Sequence, residues 1–229
     1  METKGIVYYT DNKLDYKIFS ACQKQILNSR IDIVSVSLKP IDFGTNFVIN
    51  AERGYLTMFR QILLGLENSK SSIIFLAEHD VLYHYSHFLF NPHMNNTFYY
   101  NTNVWKFRYP DGPYIWTDDL QQVSGCCAYR QLLIDFYSKK VSQCEEEGLD
   151  RHFEPGLKQR VGSNKVENWK SEFPNIDIRH DKNLTKSKWS PEDFRNKKYA
   201  KGWTESTIVP GWKSINNGVD YNFICPGPE

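Results

Sequence analysis

The chain has 229 residues, 40% of them hydrophobic and 24% charged, with a formal net charge of +1. That is ordinary globular composition and no polyelectrolyte, at a length suited to one large domain or two small ones. No run of about 18 apolar residues exists, so no membrane span is expected. METKGIVYYTD carries no apolar stretch after its lysine and does not read as a secretory leader. Five cysteines, an odd number with Cys126 and Cys127 adjacent and no CxxC pair, argue against a disulfide framework or a zinc ribbon. A reducing cytoplasm is the expected compartment.

Gly5 to Thr10 is a β-rich run, followed by Asp11 and Asn12, both good helix N-caps. Leu14, Ile18, Cys22, Ile26 and Leu27 then recur at helical spacing. Ile31 to Leu38 alternates and is β-branched, and Lys39-Pro40 ends it. Arg53 to Leu66 carries a helical apolar stripe through Leu56, Phe59, Ile62, Leu63 and Leu66, and Ser71 to Ala77 is again a strand. Strand, helix, strand, helix, strand predicts a mostly parallel sheet flanked by helices, an α/β fold. In such sheets ligands bind beyond the carboxyl ends of the strands, which should bring Asp11, Pro40 to Gly44 and Glu78 to Asp80 to one crevice. Further along, Phe98 to Tyr109 reads as ring-rich strand, Ser124 to Tyr137 as a small-residue turn becoming helix, Gly148 to Gly156 as a loop and Ile176 to His180 as a short strand. From Asp181 onward mostly irregular structure is expected. With no repeat and no low-complexity linker, the chain is read as a single domain.

Residues 74–83, IFLAEHDVLY, place two acids and a histidine inside an apolar run. On an extended backbone Glu78 and Asp80 share a face. Two carboxylates there repel unless a cation lies between them, and Mg²⁺ or Mn²⁺ takes carboxylates together with substrate phosphates. The alternative is a strand end with two solvated acids and His79 packing or capping.

This stretch resembles the metal strand of nucleotide-sugar glycosyltransferases of the GT-A fold, whose acid-x-acid motif holds Mn²⁺ or Mg²⁺ against the donor diphosphate. The resemblance implies a Rossmann-like nucleotide-sugar-binding half over residues 1–83, an acceptor-side half over 84–178 and a basic aromatic segment over 179–229. It implies Asp80 and Glu78 at the metal, although the first acid is more often Asp. It also implies a late histidine, His180, as a further metal or diphosphate ligand. Tyr8 to Asn12, with Thr10 and Asp11, stands where the first strand meets the nucleoside. Arg53 and Lys186 stand as diphosphate contacts. Ser124-Gly125-Cys126-Cys127 with Arg130 resembles the segment opening the acceptor-side helix. Each position has a plainer reading: Arg53 a solvated helix-start charge, Asp11 a simple cap, His180 a surface histidine, and the cysteines small buried residues. The implied reaction moves a sugar from a nucleoside diphosphate sugar of the UDP-glucose type to a hydroxyl. Its general base would be Asp119 or Glu154, with Asp118 and Asp150 nearby.

Residues 179–213 hold nine Lys and Arg against four acids, interleaved with Trp189, Phe194, Tyr199, Trp203 and Trp212. Such a mixture suits nucleic-acid contact, or sugar stacking beside a diphosphate. Small cytoplasmic glycosyltransferases of bacterial viruses modify hydroxymethylated pyrimidines, so 5-hydroxymethylcytosine in DNA is the specific acceptor expected, in a host cytoplasm. Such a base has to be flipped out of the duplex. A glycan or lipid-linked acceptor, or a non-catalytic nucleic-acid-binding module, stands as the alternative. The oligomeric state is open.

Overall fold

The structure, a computed structural model, describes residues 2–110, 112–118, 120–148, 154–156, 165–193 and 201–212. In chain order these form β1 (Lys4–Thr10), α1 (Tyr16–Leu27), β2 (Asp32–Ser37), β3 (Thr45–Val48), α2 (Tyr55–Asn68), β4 (Ile73–Glu78) and β5 (Val81–Leu82). A 3₁₀ turn (Tyr85–Leu89), β6 (Thr97–Asn101), β7 (Val104–Arg108), β8 (Tyr114–Trp116) and a 3₁₀ turn (Val123–Gly125) follow. The chain continues with β9 (Cys126–Tyr129), α3 (Arg130–Glu147), β10 (Lys165–Trp169), β11 (Asn175–Arg179), a 3₁₀ turn (Pro191–Asp193) and β12 (Thr204–Ser206). Among the described residues the strands make a seven-stranded sheet, β10-β6-β9-β4-β1-β2-β3, and a five-stranded sheet, β12-β8-β7-β11-β5. The larger sheet is parallel apart from β9, which runs against β4 and β6. No helix of the described residues is long and apolar enough to cross a membrane.

β1 lies inside the large sheet and is apolar on both faces, as a doubly covered strand must be. Val7 and Tyr9 point to the face covered by α2 and α3, while Ile6 and Tyr8 pack on the other face against Ile26 of α1 and Phe43. Phe59, Ile62 and Leu66, the stripe expected on α2, are fully buried. Each such side chain contributes about 1.5–3 kcal/mol of transfer free energy. Gly65 lets the helix lie close, since a Cβ there would stand 2.5 Å from Val7 Cγ1.

Several local expectations change. Pro40 to Gly44 does not reach the crevice. It turns the chain back so that β3 pairs with β2 at the sheet edge, with Phe43 buried against the Tyr8 ring, centroids 4.8 Å apart. Gly44 adopts φ +61, and a Cβ there would meet the Ile33 carbonyl at 2.4 Å, so the return needs glycine. Asp11 is not the cap of α1. Asp15 is, accepting from the Lys17 amide. Ser124 to Cys127 is not a turn opening a helix. Cys126 and Cys127 form β9, and the helix starts at Arg130. Arg130 donates to the Leu66 carbonyl, away from the carboxyl ends of β1 and β4. The four described cysteines are buried free thiols.

The ring-rich stretch 98–109 is two strands in two sheets. β6 belongs to the large sheet and β7 to the small one, and β10 and β11 make the same passage beside them, in parallel. A buried polar knot holds this crossing. Asn101 donates to Ser171 Oγ at 2.9 Å and to His87 Nδ1 at 2.9 Å, and Asn175 donates to the same nitrogen at 3.1 Å. Two amide donors on Nδ1 place the His87 proton on Nε2 and keep the ring neutral. Burial pushes its pKa down to about 3. In the unfolded chain His87 takes up a proton near pH 6.5, whereas in the folded chain it resists to about pH 3, so stability falls as pH drops through that window. Buried His84, lowered to about 4, acts in the same sense and buried Glu78, raised to about 8, in the opposite one, so on balance the thermal midpoint should decline from pH 6.5 towards pH 4, His87 contributing up to roughly 1.4 kcal/mol per unit. A midpoint flat over that range would contradict the neutral buried histidine.

Candidate active site

Parallel pairing sets Tyr9 beside Glu78, so β1 and β4 deliver Thr10-Asp11 and His79-Asp80 to one place. β11 arrives there from the small sheet. The Ile178 amide donates to the Asp80 carbonyl at 2.8 Å, and antiparallel pairing of β11 with β5 sets Arg179 and His180 alongside. Between them opens a cleft of about 280 Å³. The N-terminus of α2 faces it, with Gly54 at the N-cap and no side chain capping the first amides.

Asp80 is the hub. Its Oδ2 accepts from Asn183 Nδ2 at 2.6 Å and lies 3.5 Å from His180 Nε2 and 4.0 Å from His79 Nε2. Burial would raise the Asp80 pKa, but His180, His79 and Arg179 outweigh it and hold the carboxyl below its usual range. One ligand atom each from His79, Asp80 and His180 fits within 4.8 Å, a set able to hold a metal ion. His79 is oriented for that role. Its Nδ1 bonds Thr10 Oγ1 at 2.6 Å and lies 3.7 Å from Asp11 Oδ1, leaving Nε2 for Asp80. Fixing the far ring nitrogen in this way is how proteins aim a ligating histidine. His180 is held differently: the Lys182 amide donates to its Nδ1 at 3.2 Å, which puts the proton on Nε2 as a donor to Asp80. A cation taken up here displaces that proton and the Asn183 amide.

Glu78 stands beside this cluster rather than in it. β4 ends at Glu78, residues 79 and 80 form a turn, and the expected strand alternation through Asp80 stops one residue early. The turn brings His79 to the hub instead. Glu78 accepts from Tyr9 OH at 2.7 Å, and its pKa is pushed up to about 8 by burial and then by Asp80.

Residues 180–188 strap across the cleft. Arg53 pairs with Asp11 and donates to the Lys182 carbonyl. Tyr55 donates to the Leu184 carbonyl at 2.9 Å, and Arg179 donates to the Thr185 carbonyl at 2.7 Å and to Ser187 Oγ at 3.3 Å. Of the residues singled out from sequence, Thr10, Asp11, Arg53, Glu78, Asp80, Glu154 and Lys186 line this one cleft, and His180 touches Asp80 from behind. Asp119 and Asp150 lie outside the described residues. Asp118 bonds the Lys201 carbonyl through its amide and does not line the cleft. Sequence reasoning missed His79 as a hub residue, and it missed Asn183, Gln122 and Lys106. For His79 the signal was present, in the middle of the acidic triplet.

No protein-family model matches the chain, and no curated protein matches it. Among solved structures it is similar to a glycosyltransferase involved in glycosylating the major capsid of PBCV-1, at 8% identity and TM-score 0.48, covering 73% of this chain and 81% of that one. It is also similar to the apo form of the glycosyltransferase GlyE of Streptococcus pneumoniae TIGR4, at 9% identity and TM-score 0.43, covering 72% of this chain and 44% of that one. This chain thus matches less than half of the second protein. Likenesses at that level carry no chemistry across, and the action of the cleft has to be read from its own residues.

Arg53 holds both Asp11 and the strap, so Arg53→Ala should loosen residues 182–187 selectively. Amide hydrogen exchange there should quicken by about an order of magnitude, while the thermal midpoint moves little, because an exposed ion pair contributes at most about 1 kcal/mol. Exchange unchanged in the variant would mean the strap is held elsewhere.

Proposed function

We propose that this chain is a divalent-metal-dependent glycosyltransferase acting on a nucleoside diphosphate sugar. The observation that carries this is the pairing, in one cleft, of a cation-binding corner with an anion-binding wall. Asp80 with His79 and His180 makes the first. Arg53, Lys182, Lys186 and the uncapped N-terminus of α2 make the second. A metal pyrophosphate complex satisfies both at once, and the cleft lies at the carboxyl ends of parallel strands, where α/β sheets take nucleotides.

A donor set of one carboxylate and two imidazoles suits Mn²⁺ better than Mg²⁺, which prefers oxygen throughout. When bound, the ion supplies Lewis-acid neutralisation of the leaving diphosphate. The chain's own side chains do the rest. Asp11 and Thr10 fix the His79 ring. Arg53 and Lys186 take phosphate oxygens. Glu154, held in the cleft wall beside Pro155, whose carbonyl accepts from Tyr100 OH at 2.6 Å, is the described carboxylate suited to serve as base. The acceptor oxygen attacks the anomeric carbon, its proton passes to Glu154, and the electron pair of the broken C–O bond leaves on the diphosphate. A single displacement of this kind inverts the configuration at the sugar.

A DNA acceptor draws its support from the charge and rings of residues 179–213. Of those cations, Arg179, Lys182, Lys186 and Lys188 line the cleft. That placement favours an anion inside the cleft over a polyanion on the surface.

Mn²⁺ with UDP or a UDP-sugar should raise the thermal midpoint more than either alone, and Asp80→Asn should abolish that gain with the fold retained. Glu78→Gln should keep most of it, since Glu78 stands outside the ligand set. His79→Ala, which removes a proposed ligand, should weaken metal binding by more than the roughly 10–100-fold typical of losing a group that only orients a ligand. Calorimetry with Mn²⁺ in which Glu78→Gln removes binding and His79→Ala does not would overturn this assignment, and EDTA-resistant turnover would overturn the metal role altogether.

A further inference from the structure

The strap meets the cleft with a definite pattern of polarity. Where it touches a carboxylate it presents a donor: Asn183 Nδ2 donates to Asp80 Oδ2 at 2.6 Å. Where it touches donors of the cleft wall it presents carbonyl oxygens. The Lys182 carbonyl accepts from Arg53, the Leu184 carbonyl from Tyr55 OH at 2.9 Å and the Thr185 carbonyl from Arg179 at 2.7 Å. Positive polarity thus faces the metal corner, and oxygens face the arginines and the tyrosine. A divalent ion carrying a diphosphate presents the same pattern in full charges, a cation towards Asp80 and oxygens towards the arginines.

The direction of the Asn183 contact is fixed. Its Oδ1 accepts from the His180 amide at 2.6 Å, so the end facing Asp80 is the NH₂ group. Asp80 Oδ2 is also the oxygen that both histidines approach, at 3.5 Å from His180 Nε2 and 4.0 Å from His79 Nε2. An N–H aimed at that oxygen and a cation held on it repel each other. Turning the amide end for end does not relieve the conflict, since it would set NH₂ against the His180 N–H. Asn183 has to withdraw, and its neighbours in the strap are drawn with it. Room points the same way. With the strap in place the cleft measures about 280 Å³, below the roughly 300–1,000 Å³ of small-molecule pockets, and a nucleoside diphosphate sugar is one of the larger such ligands.

We propose that residues 182–185 are an internal mimic of the metal diphosphate, an autoinhibitory latch that holds the cleft shut until a divalent ion takes Asp80 from Asn183. The inference rests on the metal reading above and adds an order of events to it. Asn183 gives up Asp80 first, to the ion. Arg53 and Tyr55 then exchange the Lys182 and Leu184 carbonyls for phosphate oxygens. Lys182 and Lys186 ride on the strap, so the released segment can fold back on the diphosphate it has admitted. Latch closure opposes metal loading, and the apparent affinity for the ion is lowered by the fraction of molecules that are latched.

The test is amide hydrogen exchange with Mn²⁺ and no nucleotide, paired with calorimetry of Mn²⁺ binding. In the wild type, saturating Mn²⁺ should quicken exchange over residues 181–185 by about an order of magnitude, the opposite of the protection that ligation into a preformed site brings. Asn183→Ala should bind Mn²⁺ about tenfold more tightly, and its strap should exchange fast with or without the ion. Tyr55→Phe removes the donor to the Leu184 carbonyl without touching Asp80. It should shift both readouts the same way, and it carries the test if Asn183→Ala does not fold. The latch is overturned if Mn²⁺ slows exchange over the strap, or if Asn183→Ala binds Mn²⁺ more weakly than the wild type, which would make Asn183 a support of the metal site. Equal binding by the two proteins leaves the metal reading standing and removes the latch, whereas Mn²⁺ that binds neither protein removes both.

Discussion

A carboxylate kept charged at the seam between two sheets is the constraint around which this molecule is arranged. Asp80 sits where β4 leaves the large sheet and β5 joins the small one, and it is buried. A carboxylate removed from water needs opposite charge and hydrogen bonds. They come from two places in the chain: His79 from the same turn, and His180 and Asn183 from the segment after β11, about a hundred residues on. The same need draws Arg179 towards the hub. Arg179 in turn binds the strap, which carries Lys182, Lys186 and Lys188 of the cleft. A cation-binding corner and an anion-binding wall therefore arise from one electrostatic requirement.

The polar knot at the sheet crossing makes this arrangement rigid. β6–β7 and β10–β11 pass together from one sheet to the other, and Asn101, Asn175, Ser171 and His87 fix where they cross. Because β11 pairs with both β7 and β5, its register decides which side chains meet Asp80. A slip of one residue would turn Asp177 and Arg179 away from Lys106. Interlocked buried hydrogen bonds specify one register more sharply than apolar contacts alone, although His87 Nε2 itself has no partner among the described residues.

The N-terminal half could be read from sequence because its elements are local and strongly periodic. The stripe through Phe59, Ile62 and Leu66 and the apolar run of β1 name their own secondary structure and burial. The second half could not be read in the same way. β9 inserts antiparallel between β4 and β6, and β10 joins β6 across the length of α3, pairings that leave no periodic trace in the residues themselves. The strand alternation expected through Asp80 stops at Glu78, because residues 79 and 80 form a turn that brings His79 rather than Glu78 beside Asp80. The basic cluster after residue 178 was visible, but its direction was not: whether those lysines face solvent or a cleft depends on Arg53 and Tyr55, more than a hundred positions earlier. Lys106 carried no signal in the sequence, since its place in the cleft follows from the register of β7 with β11.

The central claim is that Asp80 and His79 seize a divalent ion that shares its coordination with a nucleotide diphosphate. Anomalous diffraction at the manganese edge from crystals grown with Mn²⁺ and UDP tests it most directly. The account predicts a peak at Asp80 and His79, with the diphosphate running towards Arg53 and the first turn of α2. A peak elsewhere, or a nucleotide bound with its phosphates away from that corner, would contradict it.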